Sequence, residues 1–136
     1  MREKSTGFTI IELLIVIGIM VILGAIVVFA MNPIERIRDA RNNQRKAHVE
    51  AIYGALKSYN LREGDFPDCV EVVERDAKEC EGYLIPEHMP SMPRDPLEGS
   101  EEETGYMVKS HEMFDDAGVK AVHAEEGEEI IAGFWE

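Results

Sequence analysis

Residues 7–31 read GFTIIELLIVIGIMVILGAIVVFAM and are the most informative stretch of the 136-residue chain. From Phe8 to Met31 the run has 24 residues and a single charged side chain, Glu12. As a helix it would be roughly 36 Å long at about 1.5 Å per residue, enough to cross a bilayer core of about 30 Å. Because apolar side chains occupy every face, the pattern predicts a lipid-facing or helix-packed segment rather than an amphipathic one.

Three interpretations of this segment compete. The first is a plain single-pass anchor. The second is a secretory signal peptide, since Arg2 and Lys4 form a basic start and Val28-Phe29-Ala30 supplies small residues for cleavage after Ala30. Signal peptides usually have an apolar region of about 7–15 residues, however, and this longer run contains a carboxylate. The third interpretation depends on that carboxylate.

Glu12 is the unusual residue of the span. A carboxylate in an apolar span costs about 2.5–3.5 kcal/mol on insertion scales, so it indicates a functional site with a partner. No base lies within helical reach in the same segment. Cleavage between Gly7 and Phe8 would create an α-amino group at the same membrane depth. A neighbouring copy, shifted along the helix axis, could then pair that amine with Glu12.

Residues 4–14, KSTGFTIIELL, resemble the class III signal sequence of type IV pilins and type II secretion pseudopilins. That family has a short basic leader ending in Gly, then Phe-Thr-x-x-Glu-Leu and a long apolar helix. The resemblance implies that a prepilin peptidase cuts after Gly7 and methylates the amine of Phe8. It also implies that Glu12 pairs with the Phe8 amine of a neighbouring subunit during assembly of a helical filament.

The resemblance also sets the expected partners and location. It implies a homopolymer assembled with a prepilin peptidase, an inner-membrane assembly platform and minor pilins. The chain would be a single-pass membrane protein before assembly and part of an extracellular or periplasmic filament afterwards. A type IV pilus and a secretion pseudopilus both remain open. From other classes, a membrane-anchored acidic binding domain and one released by signal peptidase also remain open.

The distribution of bases around the span conflicts with this orientation. The leader carries two bases, whereas residues 36–46 carry five. A simple count of Lys and Arg near the span ends would therefore place the remainder of the chain in the cytoplasm. We nevertheless expect the leader to stay inside, as the resemblance implies and as the two cysteines described below support.

The helical pattern continues beyond the span as a predicted stalk, residues 32–61. Asn32-Pro33 predicts a kink or short break. Residues 35–46 have almost no apolar face, which fits either a solvated helix or a stalk whose bases contact lipid headgroups and later acidic neighbours. An apolar stripe then returns and predicts a seat for a β-sheet; it consists of Val49, Ile52, Ala55, Leu56 and Tyr59.

The remaining residues, 62–136, form a predicted acidic head with two cysteines, Cys69 and Cys80. Two ligands without a nearby histidine are too few for a zinc site, and the acidic surroundings disfavour a reactive thiol. A disulfide is the preferred interpretation, with separate free thiols as the alternative. A disulfide would imply an oxidising exterior.

The middle of the head is an extended connector with prolines at 86, 90, 93 and 96. Asp95-Pro96 with a later Gly105-Tyr106 resembles a passage that precedes the sheet of major pseudopilins, although Leu97 replaces the usual aromatic. In those relatives a calcium ion can lie nearby. The weak candidates here are Asp95, Asp115 and Asp116, with Glu101, Glu102 and Glu103. Because no regular calcium loop fixes their geometry, a solvated acidic loop is the preferred interpretation and no cofactor is expected.

The end of the chain predicts a three-strand meander over residues 105–113, 119–124 and 129–135, joined by turn-like acidic segments. The expected class is therefore α+β, a long N-terminal helix on a small antiparallel sheet, as in the pilin fold. The predicted core contributors of the meander are Tyr106, Val108, Val119, Ala121, Ile131 and Phe134, and the facing of the last strand stays open because Ile130 and Ile131 are adjacent.

Charge and motif content disfavour nucleic-acid binding and catalysis. Residues 61–136 hold 22 acids and six bases, a net charge of −16. Nucleic-acid contacts need clustered bases instead. There is no phosphate-binding glycine loop or nucleophile elbow, and acidic runs are usually solvated. Of the histidines at 48, 88, 111 and 123, only His111 and His123 lie on predicted adjacent strands that could bring them together, and surface strand positions are the preferred interpretation of both. The sequence therefore predicts a structural protein and no enzyme.

Overall fold

The computed structural model describes residues 7–111, 113 and 115–135, which form two compact units divided after Arg36. The predicted leader, residues 1–7, is therefore described only at Gly7, and its first six residues lie outside the described residues. Each unit is considered by itself below.

The first unit is built on helix α1, Ile10–Ala30. It begins after Thr9, which has extended backbone angles and caps the helix. None of its side chains is buried within the described residues. By length and composition this helix is apolar enough to cross a membrane.

A break separates α1 from the second helix, α2, which spans Pro33–Glu63. Asn32 adopts a left-handed conformation with φ 39°, and Pro33 opens the new helix where its missing N–H costs no hydrogen bond. The predicted interruption at Asn32-Pro33 is confirmed. At the other end, Gly64 has φ 89° and donates its N–H to the carbonyl of Asn60 at 2.8 Å, a left-handed helix end that favours glycine.

The head is an α+β structure, as predicted, with four antiparallel strands that pair in chain order. A 3-10 turn (Ala77–Cys80) and a short helix, α3 (Glu81–Leu84), follow the first strand. The strands are β1 (Arg75–Asp76), β2 (Tyr106–Ser110), β3 (Ala117–Ala121) and β4 (Ile131–Gly133).

The predicted three strands correspond to β2, β3 and β4, each shorter than expected. Strand β1 was missed, because two charged residues carry no apolar alternation. It pairs Arg75 with Val108 and Asp76 with Met107. The resulting helix-on-sheet arrangement is consistent with the pilin fold.

The core lies between α2 and the inner face of the sheet. The predicted stripe supplies Val49, Ile52, Ala55 and Leu56, all buried. From the meander, the predicted Tyr106, Val108, Val119 and Ala121 are also buried.

Two predicted core positions in the last strand are wrong. Ala132 lies opposite Val119 on the inner face, so the strand alternation turns Ile131 outward beside Lys120. Ile131 is only half-buried, and its neighbour Ile130 fills the core instead. Phe134 is also half-buried, because it follows the end of β4.

Candidate functional site

The predicted processing bond, between Gly7 and Phe8, lies outside regular secondary structure. Residues 7–9 are not helical, and the helix begins only after the Thr9 cap. The side chain of Phe8 is 84% exposed. In the described part of the chain, the predicted bond is therefore accessible and outside the helix.

Glu12 takes part in a reciprocal cap at the start of α1. Its carboxylate accepts the backbone N–H of Thr9 at 2.9 Å and the Thr9 hydroxyl at 2.7 Å. In return, the Thr9 Oγ1 accepts the backbone N–H of Glu12 at 3.3 Å. This capping box satisfies polar groups that would otherwise be unpaired at the helix end. Sequence reasoning treated Glu12 only as an ion-pair partner, although Thr-x-x-Glu before an apolar run is itself a recognisable signal.

The head contains a buried ion pair between α2 and the proline-rich connector. The side chain of Arg45 is fully buried. Its Nε lies 2.6 Å from Asp95 Oδ2 and its Nη2 3.0 Å from Oδ1, a bidentate arrangement. A buried guanidinium needs such a partner, because an unpaired charge in the core would be costly.

Asp95 also organises the connector that follows it. Its Oδ1 accepts the backbone N–H groups of Leu97 and Glu98 at 2.9 and 3.0 Å. Burial alone would raise the pKa of this carboxyl, but the hydrogen bonds from Arg45 and from these two amides lower the pKa of Asp95 to about 2. Asp95 is therefore an anion that fixes both the helix and the loop.

A second acid, Glu125, binds the β3–β4 loop to the same helix face. Arg41 donates to its two carboxylate oxygens at 2.6 and 2.5 Å, and Arg45 Nη1 lies 3.0 Å from Oε2. These contacts, the hydrogen bond from Arg41 foremost, lower the pKa of Glu125 to about 2. The Nδ2 of Asn42 donates to the backbone carbonyl of Glu125 at 3.0 Å, and the Oδ1 of Asn42 accepts the backbone N–H of Glu125 at 3.0 Å.

These contacts correct both interpretations only around Arg41, Asn42 and Arg45, whereas residues 35–40 are exposed as in a solvated helix. Asn42 and Arg45 are buried and Arg41 is half-buried, so this part of the segment is neither a solvated helix nor free to contact lipid headgroups. Its polar face packs on the head through charge pairing rather than apolar contact. The sequence could not show this, because Asp95 and Glu125 lie 50 and 80 residues beyond Arg45.

The same pairing explains the bases that conflicted with the expected orientation. Four of the five bases in residues 36–46 form ion pairs with acids of the head. They are Arg38 with Glu126, Arg41 with Glu125, Arg45 with Asp95, and Lys46 with Glu128. These four bases therefore have partners within the head.

The two cysteines of the head are joined. Cys69 and Cys80 form a disulfide with Cα atoms 5.2 Å apart, and both are buried. The bond ties the segment after α2 to the 3-10 turn that follows β1. In a small head this cross-link restricts the unfolded chain and so stabilises the fold.

The candidate calcium ligands have separate partners. Asp95 is held by Arg45, Asp116 Oδ1 lies 2.7 Å from the Lys57 amine, and Asp115 accepts from Asn60 at 3.1 Å. The run Glu101–Glu103 is exposed. Among the described residues, no group of three or more His, Cys, Asp or Glu side chains is arranged to hold a metal ion.

Two of the four histidines support the head structure. His48 Nδ1 lies 2.7 Å from the Tyr106 hydroxyl, and burial lowers the pKa of this imidazole. His88 Nδ1 lies 2.9 Å from the Ser58 hydroxyl.

The suggestion that His111 and His123 meet on adjacent strands is wrong. His111 follows Ser110 at one end of the β2–β3 pair, and its ring contacts Phe134. His123 follows Ala121, which pairs with Tyr106 at the opposite end. The antiparallel register therefore separates them by the length of the strands.

Comparison with known proteins concerns the N-terminal segment. Residues 2–28 match the family model of the prokaryotic N-terminal methylation motif, the class III signal of type IV pilins and pseudopilins. The resemblance seen in residues 4–14 is thereby confirmed. No curated protein and no solved structure matches the chain.

Proposed function

We propose that this chain, which carries the N-terminal methylation signal of type IV pilins and pseudopilins, is a structural subunit of a type IV pilus-like filament. A prepilin peptidase cuts after Gly7 and methylates the amine of Phe8, and the chain polymerises through α1. The observation that carries the proposal is the position of the matched signal directly on an apolar helix whose start is accessible.

The exposure of α1 supports assembly through this helix. An apolar helix without a buried side chain needs lipid or other helices around it. Before assembly the lipid bilayer supplies that environment, and in a filament the α1 helices of neighbouring copies replace it. Small residues such as Gly18 and Gly24, which have open space around them, allow close helix approach.

The carboxylate of Glu12 has a second role in this proposal. Among the described residues of one chain, its hydrogen bonds come from Thr9 and no cation pairs with its charge. The methylated amine of Phe8 on a neighbouring copy supplies that cation. This pair sets the axial stagger of adjacent subunits.

The head supports an exterior location. A buried disulfide persists in oxidising compartments and is rare in the cytosol. The acidic head would therefore cover a filament in the periplasm or outside the cell. The assembly platform in the inner membrane and minor pilins are the further partners of this proposal.

A type II secretion pseudopilin is the second candidate function, because the matched signal is shared by both systems. The two differ in the companion machinery, a retraction ATPase for a motile pilus or an outer-membrane secretin for secretion. The genes beside this one would distinguish them.

Co-expression with a prepilin peptidase tests the proposal. The wild-type chain should lose its leader and enter a sheared filament fraction visible by electron microscopy. A Gly7→Val control should stay full-length in the membrane, because the bulkier residue blocks the cleavage position. Equal processing of both chains, or a processed wild-type chain that never forms filaments, would contradict the proposal.

A further inference from the structure

Nearly every base among the described residues has a partner in the same chain. Ion pairs engage most of them, a backbone carbonyl accepts from Lys78, and the Trp135 ring lies beside Lys109 and Lys120. The ion-paired bases are Arg38, Arg41, Arg45, Lys46, Lys57, Arg62, Arg75 and Lys120. In the described part of the head, the exposed Arg94 side chain has no ion pair. In a head with 22 acids, such an arginine is unusual.

Arg94 lies on a corner that the buried ion pair holds in place. The neighbouring Asp95 is fixed by Arg45, and its N–H donates to the carbonyl of Thr104 at 2.8 Å. Leu97, three residues after Arg94, is 58% exposed, although its N–H is bound by Asp95. The corner therefore presents a guanidinium and an apolar side chain on a preorganised backbone, which reduces the entropy lost on binding.

A cleft of complementary chemistry lies elsewhere on the head. It has a volume of about 630 Å³ and is lined by apolar and acidic side chains from the segment after α2 and from the β2–β3 connection. Its acidic lining includes Asp65 and Asp68, and its apolar lining includes Phe66 and Val70. Asp65 and Asp68 are exposed and have no ion pair among the described residues.

We propose that the Arg94–Leu97 corner of one copy docks into the acidic cleft of the next copy, an inference that rests on the proposed filament function. The Arg94 guanidinium binds Asp65 and Asp68, and Leu97 packs on the apolar lining. Arginine suits this role because its planar group binds carboxylates in bidentate geometry.

Two properties of the chain favour a second copy as the occupant. A head of net charge −16 repels its neighbours, so a favourable contact between heads must bring a base of one to acids of another. The corner and the cleft are also different surfaces of the same molecule. A contact between two different surfaces is heterologous and can propagate along an open helical array, as a filament requires.

The contact is tested by exchanging the charges of Arg94 and Asp68 while the net charge of the chain is kept. Arg94→Glu should reduce the yield of sheared filaments at least about tenfold, because it places a carboxylate against the acidic cleft. Adding Asp68→Lys should restore most of the yield, since the ion pair is rebuilt with its charges reversed. The matched control adds Glu102→Lys to Arg94→Glu. This double variant has the same net charge, but position 102 lies outside the cleft lining. That control should stay at the reduced yield.

Photocrosslinking maps the contact independently of yield. In filaments that are otherwise wild type, a benzoylphenylalanine at position 97 should cross-link to a second copy. The cross-link should fall in the tryptic peptide 63–75, which holds the cleft residues between 65 and 71. The same probe at the exposed Val122 serves as a position control and should not label that peptide.

The possible outcomes distinguish a failure of this inference from a failure of the proposed filament function. If the wild type forms filaments, two results would overturn the docking contact. In the first, Asp68→Lys does not restore the filament yield of Arg94→Glu, and in the second, Glu102→Lys restores it equally well. Cross-links from position 97 to the stalk helix or to another subunit type would overturn it as well. An absence of wild-type filaments would instead refute the proposed function. Each variant head should first show an intact disulfide and wild-type thermal unfolding, so that assembly alone is compared.

Discussion

The guanidinium of Arg45 is fully buried and binds the carboxylate of Asp95 through two hydrogen bonds, 2.6 and 3.0 Å long. The pair connects α2 to a connector 50 residues away and lies beside the loop that carries Glu125. The stability of the folded head therefore depends on a charged contact as well as on the apolar stripe of α2.

Arg45→Ala should destabilise the head by about 3–5 kcal/mol, because it leaves the buried carboxylate of Asp95 without its cation. Chemical unfolding of the detergent-solubilised full chain, followed by the fluorescence of its single tryptophan, measures the change. Arg36→Ala is the matched control, since Arg36 is exposed and has no ion pair in the described structure. Equal unfolding curves for the two variants would contradict the structural role of Arg45.

Acid should weaken the head through two carboxylates, Asp95 and Glu125. Their ordinary pKa values, 3.8 and 4.5, fall to about 2 in the folded chain. Both groups therefore stabilise the fold above their ordinary pKa values, and that contribution is lost as the pH falls from about 5 toward 2.

The corresponding test is unfolding across this pH range in the wild type and in Glu125→Gln. The variant should be less stable at neutral pH and should lose less stability between about pH 5 and 2, because one of the two linked groups is absent. Parallel pH profiles would show that Glu125 does not couple the loop to the arginines.

The Cys69–Cys80 bond should stabilise the head by roughly 2–3 kcal/mol, as expected for a short loop. The double variant Cys69→Ala with Cys80→Ala should unfold correspondingly earlier. A reductant should lower the stability of the wild type and leave the variant unchanged. Loss of stability in both proteins would point to an effect of the reductant elsewhere.

Glu12→Ala should leave cleavage after Gly7 intact and reduce filament formation, because the substitution removes the partner of the neighbouring amine. Counting filaments by electron microscopy, alongside gel analysis of cleavage, separates the two steps. Thr9→Ser is a suitable control, since serine keeps the hydroxyl that bonds Glu12. Normal filaments from Glu12→Ala would refute the ion-pair role.

The sequence predicted the features that depend on local pattern. The apolar run of α1 and the stripe from Val49 to Leu56 were visible as periodicities, and the pairing of Cys69 with Cys80 involved no choice among partners.

The features it missed depend on distant partners or on strand register. Nothing near Arg45 indicated burial, because its acids come from the connector and from the β3–β4 loop. The inward position of Ile130 rather than Ile131 was set by the pairing of Ala132 with Val119. The Thr9–Glu12 cap, by contrast, follows from the local pattern Thr-x-x-Glu before an apolar run.

The most direct measurement is the intact mass and N-terminal sequence of the chain taken from the filament, membrane and soluble fractions of cells that also make a prepilin peptidase. Assembly through a processed α1 predicts a chain that begins at N-methylated Phe8 and retains the Cys69–Cys80 bond. A chain beginning at Met31 would show release by signal peptidase, and one beginning at Met1 would show a plain anchor. Either start would contradict assembly through a processed N-terminal helix.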